Sequence, residues 1–219
     1  EEQLPGAIGS VLLVERASRT LRVAAGPSLP AEYNAAIDGT PIGPRVGSCG
    51  TAAFRGETVD VADVETDERW APFRDLARPH GLRACMSVPI FAGASGSPDD
   101  VLGTFAVYRR SPGAQGASAA GLVEAAARLA GVAIERAEAE RSLRESRARF
   151  ERLLAYSPAL VWIVDREARV VLANRRMTEA FGSAAQGEWS GRPLEELVGA
   201  ERAAPLSADV ERVFATGEP

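Results

Sequence analysis

Between residues 118 and 155 the chain contains no proline and only two glycines, Gly121 and Gly131. So long a stretch without a breaker predicts a single long helix that divides the chain in two. With Leu122 placed at heptad position a, the a series is Leu122, Leu129, Arg136, Leu143 and Phe150, and the d series is Ala125, Val132, Ala139, Ser146 and Leu153. Most of these are apolar and their neighbours are Glu and Arg, which is the pattern of a coiled-coil seam. A lone chain cannot cover such a stripe. The pattern therefore predicts a parallel homodimer in contact along Leu122, Leu129, Val132, Leu143 and Phe150. The small d residues and Arg136 make this a weak seam, and the alternative is a linker helix partly buried on its own domains.

The part before the helix alternates strands, turns and short helices. Residues 10–15 and 21–25 form a β-hairpin stopped by Gly26-Pro27, and residues 39–47, rich in Gly and Pro, form a loop. A short helix is expected from Thr51 to Arg55, ended by Gly56. Residues 57–64 alternate with period two, as a strand does. Trp70, Phe73, Leu76 and Ala77 stand at helical spacing, which predicts a helix over 70–79. Residues 83–91 and 101–108 read as paired strands joined by the loop 93–100. The sum is an antiparallel sheet with interleaved helices, an α+β domain.

After the helix, Ser157-Pro158 acts as a stop. Residues 160–164 and 169–173 form a second hairpin. Asn174 caps a helix over 175–181 that Gly182 terminates, and further helices are expected over 193–198 and 207–216. Two strands do not make an independently stable sheet, so this second α+β domain is expected to be incomplete, with the strands that complete it lying after Pro219.

Composition narrows the function. The net charge is −5 and lysine is absent, all basic side chains but His80 being arginine; a phosphate backbone rewards clustered positive charge, so nucleic acid is not an expected partner. No uninterrupted apolar run approaches the roughly 18 residues that span a bilayer, so no membrane contact is expected within the chain. The opening Glu1-Glu2-Gln3-Leu4-Pro5-Gly6 resembles neither a signal peptide nor an initiating methionine, as expected of a piece of a longer protein. The two cysteines, Cys49 and Cys85, have no metal-ligand spacing and are too few for a disulfide framework, which fits a reducing cytoplasm.

Several of these stretches match known modules. Gly47-Ser48-Cys49-Gly50-Thr51-Ala52-Ala53-Phe54-Arg55-Gly56-Glu57, Trp70-Ala71-Pro72-Phe73-Arg74-Asp75-Leu76-Ala77, His80-Gly81-Leu82-Arg83-Ala84-Cys85 and Ser87-Val88-Pro89-Ile90 resemble a bacterial GAF domain, and so does the strand from Val101 to Tyr108. The resemblance covers residues 1 to about 137, with most of the usual first helix missing. Arg149-Phe150-Glu151-Arg152-Leu153-Leu154, Ser157-Pro158, the strand ending at Asp165, Ala173-Asn174 and Phe181-Gly182 resemble the opening of a PAS domain over residues 145–219. The organisation implied is a GAF domain at 1–117, a long helix at 118–155 and the N-terminal part of a PAS domain at 156–219. GAF–helix–PAS arrays sit upstream of histidine kinases, cyclic-di-GMP enzymes or serine phosphatases. The resemblance thus implies a cytoplasmic, dimeric sensory input region, most often of a two-component sensor histidine kinase, with no catalysis in this segment.

The chemistry-bearing residues are few. His80, the only histidine, lies between Pro79 and Gly81 and reads as a loop residue; no phosphorylatable histidine box, P-loop or Gly-rich nucleotide fingerprint is present. Cys49 stands directly before the expected helix at Thr51, where the helix dipole favours a thiolate; the alternative is a small hydrophobe closing a loop. By resemblance, a small ligand in the GAF pocket would meet Cys49, Trp70, Phe73, Arg74, Arg83, Cys85 and Tyr108, unless these only fill the core. Known GAF and PAS cofactors are disfavoured. Bilin attachment uses Cys followed by His, but Met86 follows Cys85. The cyclic-nucleotide pattern needs lysine, flavin photosensors need Asn-Cys-Arg, and the PAS portion has no histidine for haem. The Cys49 stretch also resembles free methionine sulfoxide reductases, which are GAF-fold enzymes. Their additional cysteines have no counterpart here between residues 64 and 83, and that reading stands as the enzyme-class alternative.

Overall fold

The computed structural model describes residues 6–93, 96–181 and 189–217. It divides into two compact units, Glu1–Ala139 and Glu140–Pro219. In the first, six strands form one antiparallel sheet: β1 (Ile8–Glu15), β2 (Thr20–Ala25), β3 (Thr40–Pro41), β4 (Val59–Val61), β5 (Ala84–Phe91) and β6 (Val101–Arg109), in the order β3-β2-β1-β6-β5-β4. Helices α1 (Ala31–Ile37), α2 (Gly47–Arg55) and α3 (Arg74–Ala77) complete the part before the long helix α4 (Ala117–Tyr156).

Period-two alternation gives the sheet two faces. One carries Leu12, Cys85, Ala106 and Tyr108 and packs with Tyr33, Ala52 and Trp70. The other carries Met86, Val88, Ile90 and Val107 and packs with Val123 and Ala127 of α4. Strand β5 is therefore covered on both sides. The seat of α4 consists of Val123, Ala127 and Gly131, the three buried positions of the helix, spaced four apart on one face. A Cβ on Gly131 would stand 2.6 Å from the Phe91 carbonyl oxygen, so only glycine permits this approach.

The structure corrects several sequence expectations. Helix α2 begins at Gly47 instead of Thr51, and its N-cap residue, Val46, offers no side-chain cap. Thr51 supplies one from inside the helix, its hydroxyl accepting from Val46 N at 3.2 Å and donating to Gly47 O at 2.6 Å. The helix expected over 70–79 is broken into a 3₁₀ turn at Glu68–Phe73, the single turn α3, and a second 3₁₀ turn at Arg78–His80. Pro72 and Pro79 lie inside it and remove donors that a continuous helix needs. The loop 39–47 contains β3, β4 is only three residues long, and α1 carried no sequence signal strong enough to read. Though no uninterrupted apolar run is present, one window of α4 reaches a mean hydropathy of 1.4, enough by length and composition for a membrane span; the same helix carries the Val123, Ala127 and Gly131 seat on the sheet.

In the second unit, β7 (Trp162–Val164) and β8 (Val170–Ala173) form the expected antiparallel hairpin. Helices α5 (Arg175–Phe181), α6 (Leu194–Val198) and α7 (Ala200–Thr216) follow. Val170, Met177, Trp189, Leu194, Val198 and Ala203 form the core. Asn174 caps α5 as expected, its Oδ1 accepting from Met177 N at 3.1 Å; the same oxygen accepts from Val161 N, and Nδ2 donates to the carbonyls of Ala159 at 2.9 Å and Leu154 at 3.3 Å. One buried amide thus ties the end of α4, the entry to β7 and the start of α5. Helix α7 starts seven residues before the expected 207 and holds Pro205 within it. Gly182, the expected helix stop, lies outside the described residues.

Candidate functional site

A small cavity lies between α2 and the central strands of the first unit. Its volume is about 30 Å³, room for a water or two and not for an organic cofactor. Leu12, Tyr33, Ser48, Cys49, Trp70, Phe73 and Tyr108 are among its walls. The aromatic part is a chain of edge-to-face contacts: Tyr33 to Tyr108 at 6.0 Å between centroids, Trp70 to Tyr108 at 6.5 Å and Trp70 to Phe73 at 6.3 Å.

Ser48 positions the wall that α2 contributes. Its Oγ donates to the Cys85 carbonyl on β5 at 3.0 Å and accepts from Trp70 Nε1 at 3.0 Å, so one hydroxyl locks helix, strand and 3₁₀ turn together. Cys49, the next residue, is half-buried; Cys85 is fully buried and both are free thiols. The longer α2 places Cys49 in its first turn and not before it. The groups that act on the Cys49 thiol are the Cys85 thiol and the hydroxyls of Ser87, Thr104 and Tyr108. The Cys85 contact, foremost, and then the hydroxyls draw Cys49 below the ordinary thiol range against the opposing effect of burial. Cys85 is pushed up, first by burial and then by its neighbour Cys49. Burial is also the first cause that raises Tyr33 and Tyr108.

Three hydroxyls on this face, those of Ser10, Ser87 and Thr104, are buried without a formed hydrogen bond. Ser87 and Thr104 stand near Cys49, and Ser10 near the Tyr108 hydroxyl. They are the site residues that the sequence reading passed over. A signal was present: along β5 the small or polar Cys85 and Ser87 alternate with Met86 and Val88, and along β6 Thr104 and Ala106 alternate with Phe105 and Val107.

Of the residues expected around a ligand, Cys49, Trp70, Phe73 and Tyr108 line the cavity, and Cys85 sits behind Cys49. Arg74 and Arg83 are not among the lining residues. Arg74 donates to the backbone carbonyls of Val64 and Asp67, and Arg83 pairs with Asp63 at 3.0 Å. His80 lays its ring edge against Tyr33 and its Nε2 is 3.8 Å from Glu32 Oε1. Among the described residues no three His, Cys, Asp or Glu side chains come together as a metal site.

The second candidate surface is on α4. In the first unit Leu129 and Val132 are 73% and 65% exposed and Leu122 is also exposed. In the second, Leu143 is 71% exposed, and Phe150 and Leu153 also face solvent. These are the heptad residues, and the fold of a single chain leaves them uncovered.

Residues 3–134, more than half of the chain, match the GAF domain family over the sheet and its helices. The chain belongs to the GAF domain family. Residues 154–219 match the PAS fold, so the GAF–helix–PAS order stands. GAF and PAS domains are typically sensory and without catalysis of their own. A methyl sulfide methyltransferase-associated sensor of Methanosarcina acetivorans is 29% identical over 218 residues, 99% of this chain and 21% of that protein. The chain thus spans about a fifth of that relative. Among solved structures, a domain of a protein ascribed to the two-component sensor histidine kinases of Sinorhizobium meliloti is 26% identical, with a TM-score of 0.50 over 63% of this chain and 84% of that one. The GAF domain of a phosphoenolpyruvate-protein phosphotransferase from Coxiella burnetii is 16% identical, with a TM-score of 0.55 over 64% and 79% of the two chains, a likeness of fold alone.

Proposed function

We propose that this GAF–PAS chain is the cytoplasmic sensory input region of a bacterial sensor histidine kinase of a two-component system. It works as a parallel homodimer and relays a small-molecule or redox signal along α4. The observation that carries the reading is the uncovered apolar stripe of α4: a helix that runs on from a GAF sheet and keeps its heptad leucines in solvent needs a partner of the same periodicity, and a second copy supplies one. The kinship with a sensor and with a histidine kinase domain supports the signalling role. An input region of a cyclic-di-GMP enzyme or a serine phosphatase would share every feature of this segment.

Sedimentation at tens of micromolar tests the dimer. The native chain is expected to sediment as a dimer and Leu143→Asp as a monomer, because facing carboxylates would stand in the seam. A native monomer, or a dimer indifferent to Leu143→Asp, overturns it. With free methionine-R-sulfoxide and a thiol reductant, the chain is expected to give no turnover.

A further inference from the structure

Cys49 and Cys85 are the only cysteines in the chain, and the fold packs them, from α2 and β5, into one apolar cluster as free thiols. One is buried; the other opens onto a cavity. Ser48 fixes the pair, since its bond to the Cys85 carbonyl pins α2 to β5 one residue from Cys49. Most telling are the hydroxyls of Ser87 and Thr104, fully enclosed, without a formed hydrogen bond and close to Cys49. A buried hydroxyl without an acceptor is costly. A neutral thiol is a weak acceptor, whereas a thiolate is a strong one, so ionisation of Cys49 would give both hydroxyls their partner. The titratable groups that act with Cys49 are Cys85 on β5, Tyr108 on β6 and Tyr33 on α1, and Cys85 in turn feels the Asp60 carboxylate on β4.

We propose that Cys49 and Cys85 form a peroxide-reactive dithiol, with Cys49 the attacking sulfur and Cys85 the resolving one. The inference rests on the sensory reading only for its purpose, by naming a class of signal, a small hydroperoxide. The volume of the cavity favours that class, since a molecule the size of two waters fits and a bulky disulfide does not. In the first step the Cys49 thiolate attacks the O–O bond of ROOH. A S–O bond forms, the O–O bond breaks, Cys49 becomes a sulfenic acid, and the alkoxide takes the proton that Cys49 gave up, leaving as ROH. In the second step Cys85 attacks the Cys49 sulfur. The S–S bond forms, hydroxide leaves, and the Cys85 proton converts it to water. The sum is two thiols and ROOH giving one disulfide, ROH and water. The bond would tie α2 to β5, and Met86, the next residue of that strand, packs on the face that seats α4.

The test uses the reduced 219-residue chain and hydrogen peroxide, followed by thiol titration, intact mass and peptide mapping. The expected result is loss of both thiols per peroxide consumed, with one intramolecular disulfide and a mass lower by two hydrogens. Cys85→Ser is expected to stop at a sulfenic acid on Cys49, read as a Cys49 peptide heavier by one oxygen, and Cys49→Ser to leave Cys85 unreactive. Ser87→Ala with Thr104→Val is expected to slow the native reaction roughly tenfold at neutral pH, through loss of hydrogen bonds to the ion. Retention of both thiols overturns the proposal, and so does Cys85 oxidised at the native rate in Cys49→Ser, or a rate unchanged in the double hydroxyl variant whose circular dichroism is native. Should Cys85→Ser not fold, Cys85→Ala and the map of the native chain give the same decision. Failure here leaves the sedimentation result untouched, so the two readings fall separately.

Discussion

The indole Nε1 of Trp70 donates its hydrogen to Ser48 Oγ at 3.0 Å, and both groups are buried. Ser48→Ala would leave the indole N–H and the Cys85 carbonyl each without that partner. The expected loss is about 1–3 kcal/mol for each group orphaned in the interior, read as a lower unfolding midpoint in urea with the slope unchanged. A variant as stable as the native chain would show that the Ser48 bonds do not hold α2 in place.

Gly121 and Gly131 lie ten residues apart on α4 and are expected to respond to alanine with opposite signs. At Gly121 a Cβ would meet nothing within 4 Å, so Gly121→Ala should stabilise by about 0.5–1 kcal/mol through helix propensity. At Gly131 the Cβ would press on the Phe91 carbonyl, and Gly131→Ala should cost about 1–3 kcal/mol by overpacking. Thermal denaturation of the two variants side by side reads the difference.

Asn174→Asp should weaken the second unit and spare the first. The carboxylate keeps the acceptor for Met177 and Val161 but loses the Nδ2 donors to Ala159 and Leu154, and places charge against two carbonyls. A loss of at least about 2 kcal/mol is expected. Hydrogen exchange is the measurement: peptides from β7, β8 and α5 should lose protection while β5 and β6 keep theirs.

Acid should act first on the loop before α3. Asp63 is held below the usual carboxylate range by the Glu65 backbone N–H and then by Arg83, and Asp67 by Arg69. Because the folded values are depressed, the stabilisation is complete above about pH 4, the unfolded aspartate value, and disappears as pH falls through the lower folded values. The difference in melting temperature between the native chain and Asp63→Asn with Asp67→Asn should therefore be constant from pH 5 to 7 and shrink below about pH 4. A gap that persists undiminished at about pH 2 would refute the assignment.

The sheet was legible because its strands alternate and end at Gly, Pro or Asp, and the long helix because nothing breaks it. The elements that escaped are those set by tertiary partners. α2 starts early because Thr51 reaches back to Val46, and no local rule scores a cap supplied from inside the helix. The 70–79 segment shows helical spacing in its apolar residues, yet Pro72 and Pro79 decided its backbone. At the site, Cys49, Trp70, Phe73 and Tyr108 were legible by resemblance. The hydroxyls beside them left only the alternation of small or polar residues along β5 and β6 as a signal, and Ser87 and Thr104 become distinctive only when strand pairing brings them to the same buried face of the sheet.

The seat of α4 has a mechanical consequence. Its three contacts repeat every four residues, as the teeth of a rack do, yet only one setting is allowed. A step one way along the axis brings Glu135 to the Phe91 carbonyl, setting a carboxylate against it; a step the other way brings Ala127, whose Cβ is the atom that spot excludes. A slip of one full turn along the axis is thus closed to the helix, and rotation about its axis, lift from the sheet or shifts of less than a turn are the movements left to it.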